Sequence, residues 1–564
     1  MDAHPLASQV GSRAVAARGA LLGGVLALTC AAAAAAPARA PGPAAPYTYV
    51  HHPVSTDVPL AQIAFDRGLT LVFAYESDEA ERSFREAARL DPSLAMAFWG
   101  IALAVGPDIN TEPDAKSTQV AADSLVRAKL LADKRATPEE RAYIAALSAR
   151  YSSEPKPDFD KLAVDYREAM RALTAVHPED ADAAALYAEA IMDLHPWRLW
   201  TTDGKPLTAD TTELVAMLEK GLKRHPSHLG LLHFYIHAVE ASSDPGRALD
   251  AARRLAALPM EPAAAHLVHM PAHIYLRVGD WAAAIEANEH SVHHALDYRL
   301  SINPKQERTC GHCVDFLSYA YMMDGDEPHA LQSSRDYQQL NHDPSNSIAT
   351  LARFHEWDDL LSFPEPATDL RINLRSVYAV RGLWHFGRGL AFVAKTRLDR
   401  ADEELSALGA EAALLPVPGS YGAALDVEHA LDKLVQVGDV DTLRISTAIL
   451  KARLAQARGQ AAEAADLLRE AVRIQDATPY GEPPTWFYPV RESLGALLLK
   501  GGANAEAEAV FREGLARVPH DPRLLLGLAA ALRAQGREAA ATQAQSEFRA
   551  AWRGSDTPPA VTEF

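Results

Sequence analysis

Residues 65–92, FDRGLTLVFAYESDEAERSFREAARLDP, decide the fold. Gly68, Ala80, Phe84 and Ala87, followed by Pro92, have the spacing of two antiparallel helices, in which small residues allow close contact and proline ends the second helix. A unit of about 34 residues cannot bury its own apolar face, so neighbouring units must stack. We therefore predict an all-α protein built from stacked helical hairpins.

The same intervals recur near the C-terminus, at Gly495, Ala507, Phe511 and Pro519. This spacing resembles the tetratricopeptide repeat, and Leu71 fills a further signature position of that repeat. The predicted fold class is an all-α, tetratricopeptide-like α-solenoid of helical hairpin repeats that forms a curved superhelix.

Length and charge limit the function classes. A chain of 564 residues is too long for one compact core, which agrees with a repeat array. Its 55 Lys and Arg against 74 Asp and Glu give a net charge of −19, spread along the chain. Such a surface repels phosphate, so nucleic acid is not an expected partner.

The N-terminus has the features of a targeting segment. Arg13 and Arg18 precede an apolar run that ends in the small-residue pattern Ala38-Arg39-Ala40. Bulky Leu28 and Thr29 before Cys30 do not fit a lipoprotein box. We expect a cleaved signal peptide, no later transmembrane segment, and a periplasmic or secreted mature chain.

The chain is divided by these patterns into six parts. They are a signal peptide (1–40), a flexible N-terminal segment (41–59), N-terminal tetratricopeptide-like helical repeats (60–226), central His-rich repeats (227–342), C-terminal repeats (343–553) and a flexible tail (554–564).

Metal-ligand residue types recur in register in the central repeats. Three alanines that open successive second helices, Ala248, Ala284 and Ala330, serve as anchors. Fifteen residues before the three anchors lie His233, His269 and Asp315, and eleven residues before them lie His237, His273 and Tyr319. His266 lies eighteen residues before Ala284, and His312 lies eighteen residues before Ala330. Glu240 lies eight residues before Ala248. Parallel first helices would project these side chains onto one inner surface.

The spacing predicts a transition-metal site. His233, His237 and Glu240 share one helix face, and so do His266, His269 and His273, because residues three and four apart are neighbours. Imidazole and carboxylate groups bind copper, iron or zinc. The predicted ligands are His233, His237, Glu240, His266, His269, His273 and His312, with Asp315, Cys310 and Cys313 as possible additions. The metal could support oxidation or hydrolysis of a small molecule or peptide in the groove, with Glu240 and Tyr319 as the candidate proton-transfer groups. The same pattern also fits a protein that carries a metal without catalysis.

A metal-free function remains open. Grooves of such repeats bind peptide segments through polar first-helix residues, so the protein could instead be a periplasmic scaffold for partner proteins. A dense cluster of histidines favours metal, since such clusters are costly to bury without a use.

Three further features bear on the site. The string Cys310-Gly311-His312-Cys313 matches a redox motif, but no predicted β-strand surrounds it as in redox proteins. Three roles remain for the two cysteines: a disulfide, thiolate ligation of the metal, or redox catalysis. Pro271 should bend the helix between His269 and His273. Residues 195–208 contain Trp197 and Trp200 and could fold over the groove as a lid or cover an irregular helix end.

Several strings resemble a family of uncharacterised exported bacterial tetratricopeptide-repeat proteins, above all His269-Met270-Pro271-Ala272-His273-Ile274. The strings Ala95-Met96-Ala97-Phe98-Trp99-Gly100 and Tyr235-Ile236-His237-Ala238-Val239-Glu240, and the aromatic turn 482–491, belong to the same resemblance. It implies the fold over nearly the whole mature chain and no settled activity. The Cys-Gly-His-Cys string departs from the tyrosine-rich stretch expected there.

Overall fold

The computed structural model describes residues 47–152, 154, 156–302, 310–367, 376–415, 430–554 and 558–563. The segment predicted to be a signal peptide, residues 1–40, lies outside these ranges. Within them the regular structure is helical, and the only β-type pairings are two isolated bridges, Asp108–Thr111 and Trp200–Pro206. The prediction of an all-α solenoid is confirmed.

The helices are numbered in chain order. In the N-terminal repeats they are α1 Pro59–Val72, α2 Ser77–Leu90, α3 Ala95–Ala104, α4 Ala115–Arg135, α5 Pro138–Ser148, α6 Phe159–Val176, α7 Ala181–Asp193 and α8 Ala209–Arg224. In the central repeats they are α9 Leu229–Glu240, α10 Leu249–Ala256, α11 Ala265–His269, α12 Pro271–Val278, α13 Trp281–Ile302, α14 Gly311–Asp324 and α15 Glu327–Asn341. In the C-terminal repeats they are α16 Ser345–Phe354, α17 Trp357–Ser362, α18 Val377–Ala394, α19 Leu398–Ala412, α20 Ala430–Ala457, α21 Ala461–Ala477, α22 Arg491–Lys500, α23 Asn504–Arg517, α24 Pro522–Ala534 and α25 Glu538–Ala551. Short 3-10 turns lie at Pro245–Ala248, Pro262–Ala264 and Val561–Glu563.

The signature residues of the first repeat pack as their spacing predicts. Phe84 is fully buried between two glycines: a Cβ atom would lie 2.8 Å from its ring at Gly68 and 2.3 Å at Gly100. The aromatic ring therefore fills the space that the glycines leave where α1, α2 and α3 meet. Phe511 fills the matching space against Gly495 and Gly527 near the C-terminus.

Glycine and proline shape the central repeats. Gly279 and Gly325 end α12 and α14 in the left-handed conformation, with φ of 73° and 89°. Pro271 divides one predicted helix into α11 and α12, and Met270 between them keeps a helical backbone. The helix divides here because proline cannot donate the backbone hydrogen bond that would continue it; the predicted bend of the axis stays a prediction.

The segment before α1 follows a defined course. Of residues 41–59, predicted to be flexible, those from 47 onward lie against the N-terminal repeats. Val50 N donates to Thr70 Oγ1 at 2.9 Å, His52 Nδ1 lies 2.8 Å from Asp182, and Ser55 donates to Glu140. These bonds are made by ordinary polar side chains of distant helices, so composition alone does not reveal them.

Repeats far apart in the chain meet over the central ones. Tyr480 Oη donates to Glu240 at 2.7 Å across 240 residues, Trp281 Nε1 donates to the His520 carbonyl at 3.4 Å, and Arg353 pairs with Glu492. The N-terminal side contributes the Phe73 carbonyl, 2.7 Å from His233 Nδ1. The inner face of the central repeats is therefore covered by other parts of the same unit, Tyr47–Phe564.

No helix in the described ranges is both long and apolar enough to span a membrane.

Candidate metal centre

Six histidines from successive first helices project into one region of the protein. They are His233 and His237 on α9, His266 and His269 on α11, His273 on α12 and His312 on α14. His233 and His269 are 0% exposed, whereas the side chain of His312 is 41% exposed and lies at the edge of the cluster. All six were predicted from their register, and the structure brings them together.

Four of the imidazoles place Nδ1 against a hydrogen-bond acceptor. His233 Nδ1 lies 2.7 Å from the Phe73 carbonyl, and His269 Nδ1 lies 2.5 Å from Asn288 Oδ1. Glu240 serves the other two, with Oε1 2.8 Å from His237 Nδ1 and Oε2 2.7 Å from His273 Nδ1. An imidazole that donates from Nδ1 has its lone pair on Nε2, which makes Nε2 the ligand atom.

The ligand nitrogens form two groups of three. The first triad is His233, His237 and His266, and the second triad is His269, His273 and His312; within each, the ligand atoms lie within 4.8 Å of one another. His233 Nε2 and His266 Nε2 are 3.1 Å apart, and His269 Nε2 and His273 Nε2 are 2.8 Å apart. His237 Nε2 is buried and has no hydrogen-bond partner.

The triads differ in charge when no metal is bound. Burial, and then the charge of neighbouring imidazoles, lowers the pKa of His233, His266 and His269 well below the usual value, so these rings are neutral. Burial by itself would lower the pKa of His273. The nearby carboxylates of Glu482 and Glu240 have the larger combined effect and raise this pKa to about 10. The metal-free protein therefore has a proton between His273 Nε2 and His269 Nε2.

Two carboxylates and a tyrosine adjoin the imidazoles. Glu482 Oε2 lies 2.6 Å from His273 Nδ1, and Tyr480 Oη donates to Glu240 Oε2. Burial by itself would raise the pKa of Glu240, but the charge of His273 lowers it well below its usual range. For Glu482, burial and the charge of Glu240 both raise the pKa. Burial and the same charge raise the pKa of the Tyr480 phenol, which is therefore a proton donor.

An aromatic ring contacts every member of each triad. The Tyr75 ring centroid lies 4.8, 6.1 and 5.7 Å from those of His233, His237 and His266. The Phe316 ring lies 4.6, 4.8 and 4.9 Å from those of His269, His273 and His312. Tyr75 has a φ of 55°, a strained conformation for a residue with a side chain, and it directs the ring onto the first triad.

Residues 195–208 cover α9 beside this cluster. The Trp197 ring packs edge-on against His237 at 5.6 Å, and Trp200 Nε1 donates to the Ala238 carbonyl at 2.8 Å. This segment therefore shields the His237 ring.

The remaining predicted site residues lie elsewhere. Tyr319 packs against Trp281, 6.4 Å between ring centroids, and its electrostatic neighbours are Asp521 and Arg353 rather than the imidazoles. Asp315 accepts a hydrogen bond from Asn346 Nδ2 at 2.7 Å.

Cys310 and Cys313 form a disulfide at the start of α14. Of the three interpretations of this motif, the structure shows the first. In a disulfide neither sulfur is a thiolate, so neither Cys310 nor Cys313 can be the anionic ligand that remained possible from the sequence. The bridge instead brackets His312.

Sequence reasoning missed Glu482, Tyr480 and Asn288. The turn 482–491 was noted for its aromatic residues, and its Arg491 pairs with Asp476 at 2.7 Å. A carboxylate beside two prolines was the one signal that could have pointed to Glu482. Nothing local distinguishes Asn288 from other helix residues.

Comparisons with known proteins show limited similarity. No protein-family model matches the chain. A stretch of 73 residues, 13% of the chain, is 41% identical to an uncharacterized protein of Aquifex aeolicus (strain VF5), of which the chain covers 10%. The solved structures that match this chain include the human IFIT1 dimer with PPP-AAAA. It is 14% identical, the match covers 87% of this chain and 92% of that chain, and the TM-score is 0.31. The APC/C hetero-tetramer Cut9-Hcn1 is 12% identical over 88% and 74% of the chains, with a TM-score of 0.30.

Proposed function

We propose that this protein is a helical-repeat solenoid that binds a transition metal through its buried histidine cluster, and that the metal acts on a small molecule. One observation carries the proposal. Four imidazoles commit Nδ1 to the Phe73 carbonyl, Asn288 or Glu240, and their Nε2 lone pairs point into one region.

Hydrogen bonds of this kind orient metal ligands in proteins. An acceptor at Nδ1 selects the tautomer, aligns the ring and makes Nε2 a stronger donor to the metal. A cluster of neutral imidazoles that face one another with lone pairs is repulsive unless a cation or a proton lies between them. Between His233 and His266, whose Nε2 atoms are 3.1 Å apart, either a proton on His266 Nε2 or a bound metal can lie.

The roles of the acidic groups follow from their contacts. Glu240 was predicted as a ligand and a proton-transfer group; because its two oxygens accept from His237 and His273, we assign it to orienting those rings. Tyr480, whose hydroxyl contacts Glu240, replaces Tyr319 as the proton donor nearest the cluster.

The metal-free scaffold is the weaker alternative. A peptide in the groove would need the inner face of the central repeats to be open. Phe73, Tyr75 and Tyr480 from distant repeats occupy that face instead. A protein partner could still bind another surface of the solenoid.

Export is part of the proposal. The charged and then apolar N-terminus supports a signal peptide. The Cys310–Cys313 disulfide supports an oxidising compartment such as the periplasm. Membership of the exported family with the His-Met-Pro-x-His-Ile string belongs to the same proposal.

Elemental analysis by mass spectrometry on untagged mature protein tests the function. We expect a stoichiometric transition metal in the wild type and none in a folded His237→Ala, His273→Ala double variant. A His51→Ala, His329→Ala double variant, which removes side chains that are 67% and 65% exposed, is the matched control and should keep the metal. Wild-type protein that stays empty after aerobic and anaerobic loading with copper, iron and zinc would refute the proposal. Partner proteins that co-purify unaffected by chelator would then favour the scaffold.

A further inference from the structure

We infer that the cluster binds two copper ions, one in each triad, and that its ligand is a diatomic molecule, dioxygen, bound between them. This inference rests on the proposed metal function and specifies its nuclearity, metal and substrate class. The two triads share no member, and each brings three ligand atoms within 4.8 Å of one another. Three imidazoles leave at least one coordination position of each ion open.

The open positions face each other. Tyr75 contacts all three rings of the first triad, and Phe316 contacts all three of the second. These aromatic rings occupy one side of each triad. Across the triads the rings of His237 and His273 approach to 5.4 Å, and those of His266 and His269 to 6.1 Å. Two ions held by these triads would therefore lie close enough to share one small ligand.

Ligand type selects the metal. The six ligands of the two triads are imidazoles, and Glu240 contacts His237 and His273 through Nδ1 rather than Nε2. Imidazole nitrogens suit copper better than the hard, oxygen-preferring ions, and among divalent ions copper binds such sites more tightly than zinc.

Dioxygen is the ligand that this arrangement suits. Each Cu⁺ can give one electron, so that one O₂ bound between two ions becomes a doubly reduced bridge and the ions become two Cu²⁺. No other reductant and no proton is needed for this step, and its reversal releases O₂. Tyr75, Phe316 and Trp197 pack against the imidazoles of the two triads.

A single substitution in each triad tests the two proposed metal sites independently. His266 is partly buried and His312 is 41% exposed, so replacing either with alanine is compatible with folding. After anaerobic loading with Cu⁺ and removal of free metal, we expect two copper ions per wild-type chain and one each in His266→Ala and His312→Ala. His329→Ala on α15, whose side chain is 65% exposed, is the control and should keep two.

Oxygen uptake provides the second readout. The wild type and the control should take up one O₂ per two copper ions, and each single-triad variant should take up none. One ion per wild-type chain, loss of all copper from either folded variant, or retention of two zinc ions in competition with copper would each overturn the inference. Wild-type protein that binds no metal would instead refute the proposed function.

Discussion

The chemistry at single residues is set by what each polar atom contacts. His237 illustrates this, because Nδ1 has a carboxylate partner while Nε2 is buried without one. A buried polar atom without a partner costs about 1–3 kcal/mol, which supports His237 Nε2 as a metal-ligand atom under the proposed function. Glu240 accepts from both triads and from Tyr480, which makes it the residue that couples them.

His52 gives a pH-dependent prediction at this scale. Burial opposes the shift, but the hydrogen bond and charge of Asp182 raise the pKa of His52. A raised folded-state pKa contributes stability that is complete below the unfolded value of about 6.5 and is lost as the pH rises through the folded value. We expect His52→Gln to lower the free energy of unfolding by about 1–3 kcal/mol at low pH, with a difference that narrows as the pH rises above about 6.5.

Chemical denaturation at a series of pH values measures this difference. His51→Gln is the control, because that side chain is 67% exposed and its loss should change stability by less than about 0.5 kcal/mol at every pH. The His52 ring also packs against Phe65 and Tyr143, at 6.0 and 5.1 Å between ring centroids. A His52→Gln effect that is the same at every pH would show that the charge of His52 contributes nothing to stability.

At the scale of elements, breaks and turns position the histidines. The interruption at Pro271 lets α11 direct His266 and His269 while α12 directs His273. The left-handed turn at Gly279 then brings α13 back along α12, and Asn288 on α13 accepts from His269. The helix break at Pro271 and the left-handed turn at Gly279 therefore position residues of the second triad.

Gly279 contacts the C-terminal repeats, and its substitution tests that contact. A Cβ atom at Gly279 would lie 1.8 Å from the Pro519 carbonyl, while one at Gly459 would have nothing within 4 Å. Both glycines have positive φ, 73° and 80°. We expect Gly459→Ala to cost about 1–2 kcal/mol for the backbone conformation alone, and Gly279→Ala to cost about 1–3 kcal/mol more because α12 must move from Pro519.

Thermal unfolding of the two variants in parallel measures the difference. Equal destabilisation would mean that the approach of the C-terminal repeats to the turn at Gly279 contributes nothing to stability.

At the scale of the whole molecule, contacts between distant repeats cover the site. The buried ion pair of Arg353 and Glu492 joins α16 to α22 through two hydrogen bonds of 2.6 and 3.0 Å. Both side chains are at most 2% exposed. The pair lies in the region that brings Tyr480 and Glu482 over the central repeats.

Breaking this pair should therefore be costly. We expect Glu492→Leu to lower the free energy of unfolding by about 3–5 kcal/mol, because it leaves a buried guanidinium without its partner. The exposed pair Arg85 and Glu81 is the control, and Glu81→Leu should cost less than about 1 kcal/mol. Denaturant unfolding measures both. A small effect of Glu492→Leu would indicate that Asp521, whose charge also acts on Arg353, replaces Glu492 as the partner of the guanidinium.

Much of the candidate site could be predicted because it is local. The register of His233 with His237, and of His269 with His273, follows from the helical period, and the repeat period carries that register from one hairpin to the next. Glu482 and Tyr480 could not be predicted, because more than 200 residues separate them from their partners and small rotations between repeats add up over that distance. Tyr319 shows the same limit, since its register matched while its electrostatic neighbours in the structure are Asp521 and Arg353.

By itself, the sequence determined the helical hairpins, the inner-face position of six histidines, the break at Pro271 and the turns at Gly279 and Gly325. Each depends on residues within a few turns of one another, where backbone sterics and the helical period decide the outcome. Only the tertiary structure decided that the inner face is covered, that Phe73, Asn288 and Glu240 orient the imidazoles, and that the histidines divide into two triads. These depend on how stacked repeats rotate relative to one another, which is determined by the packing of all of them together.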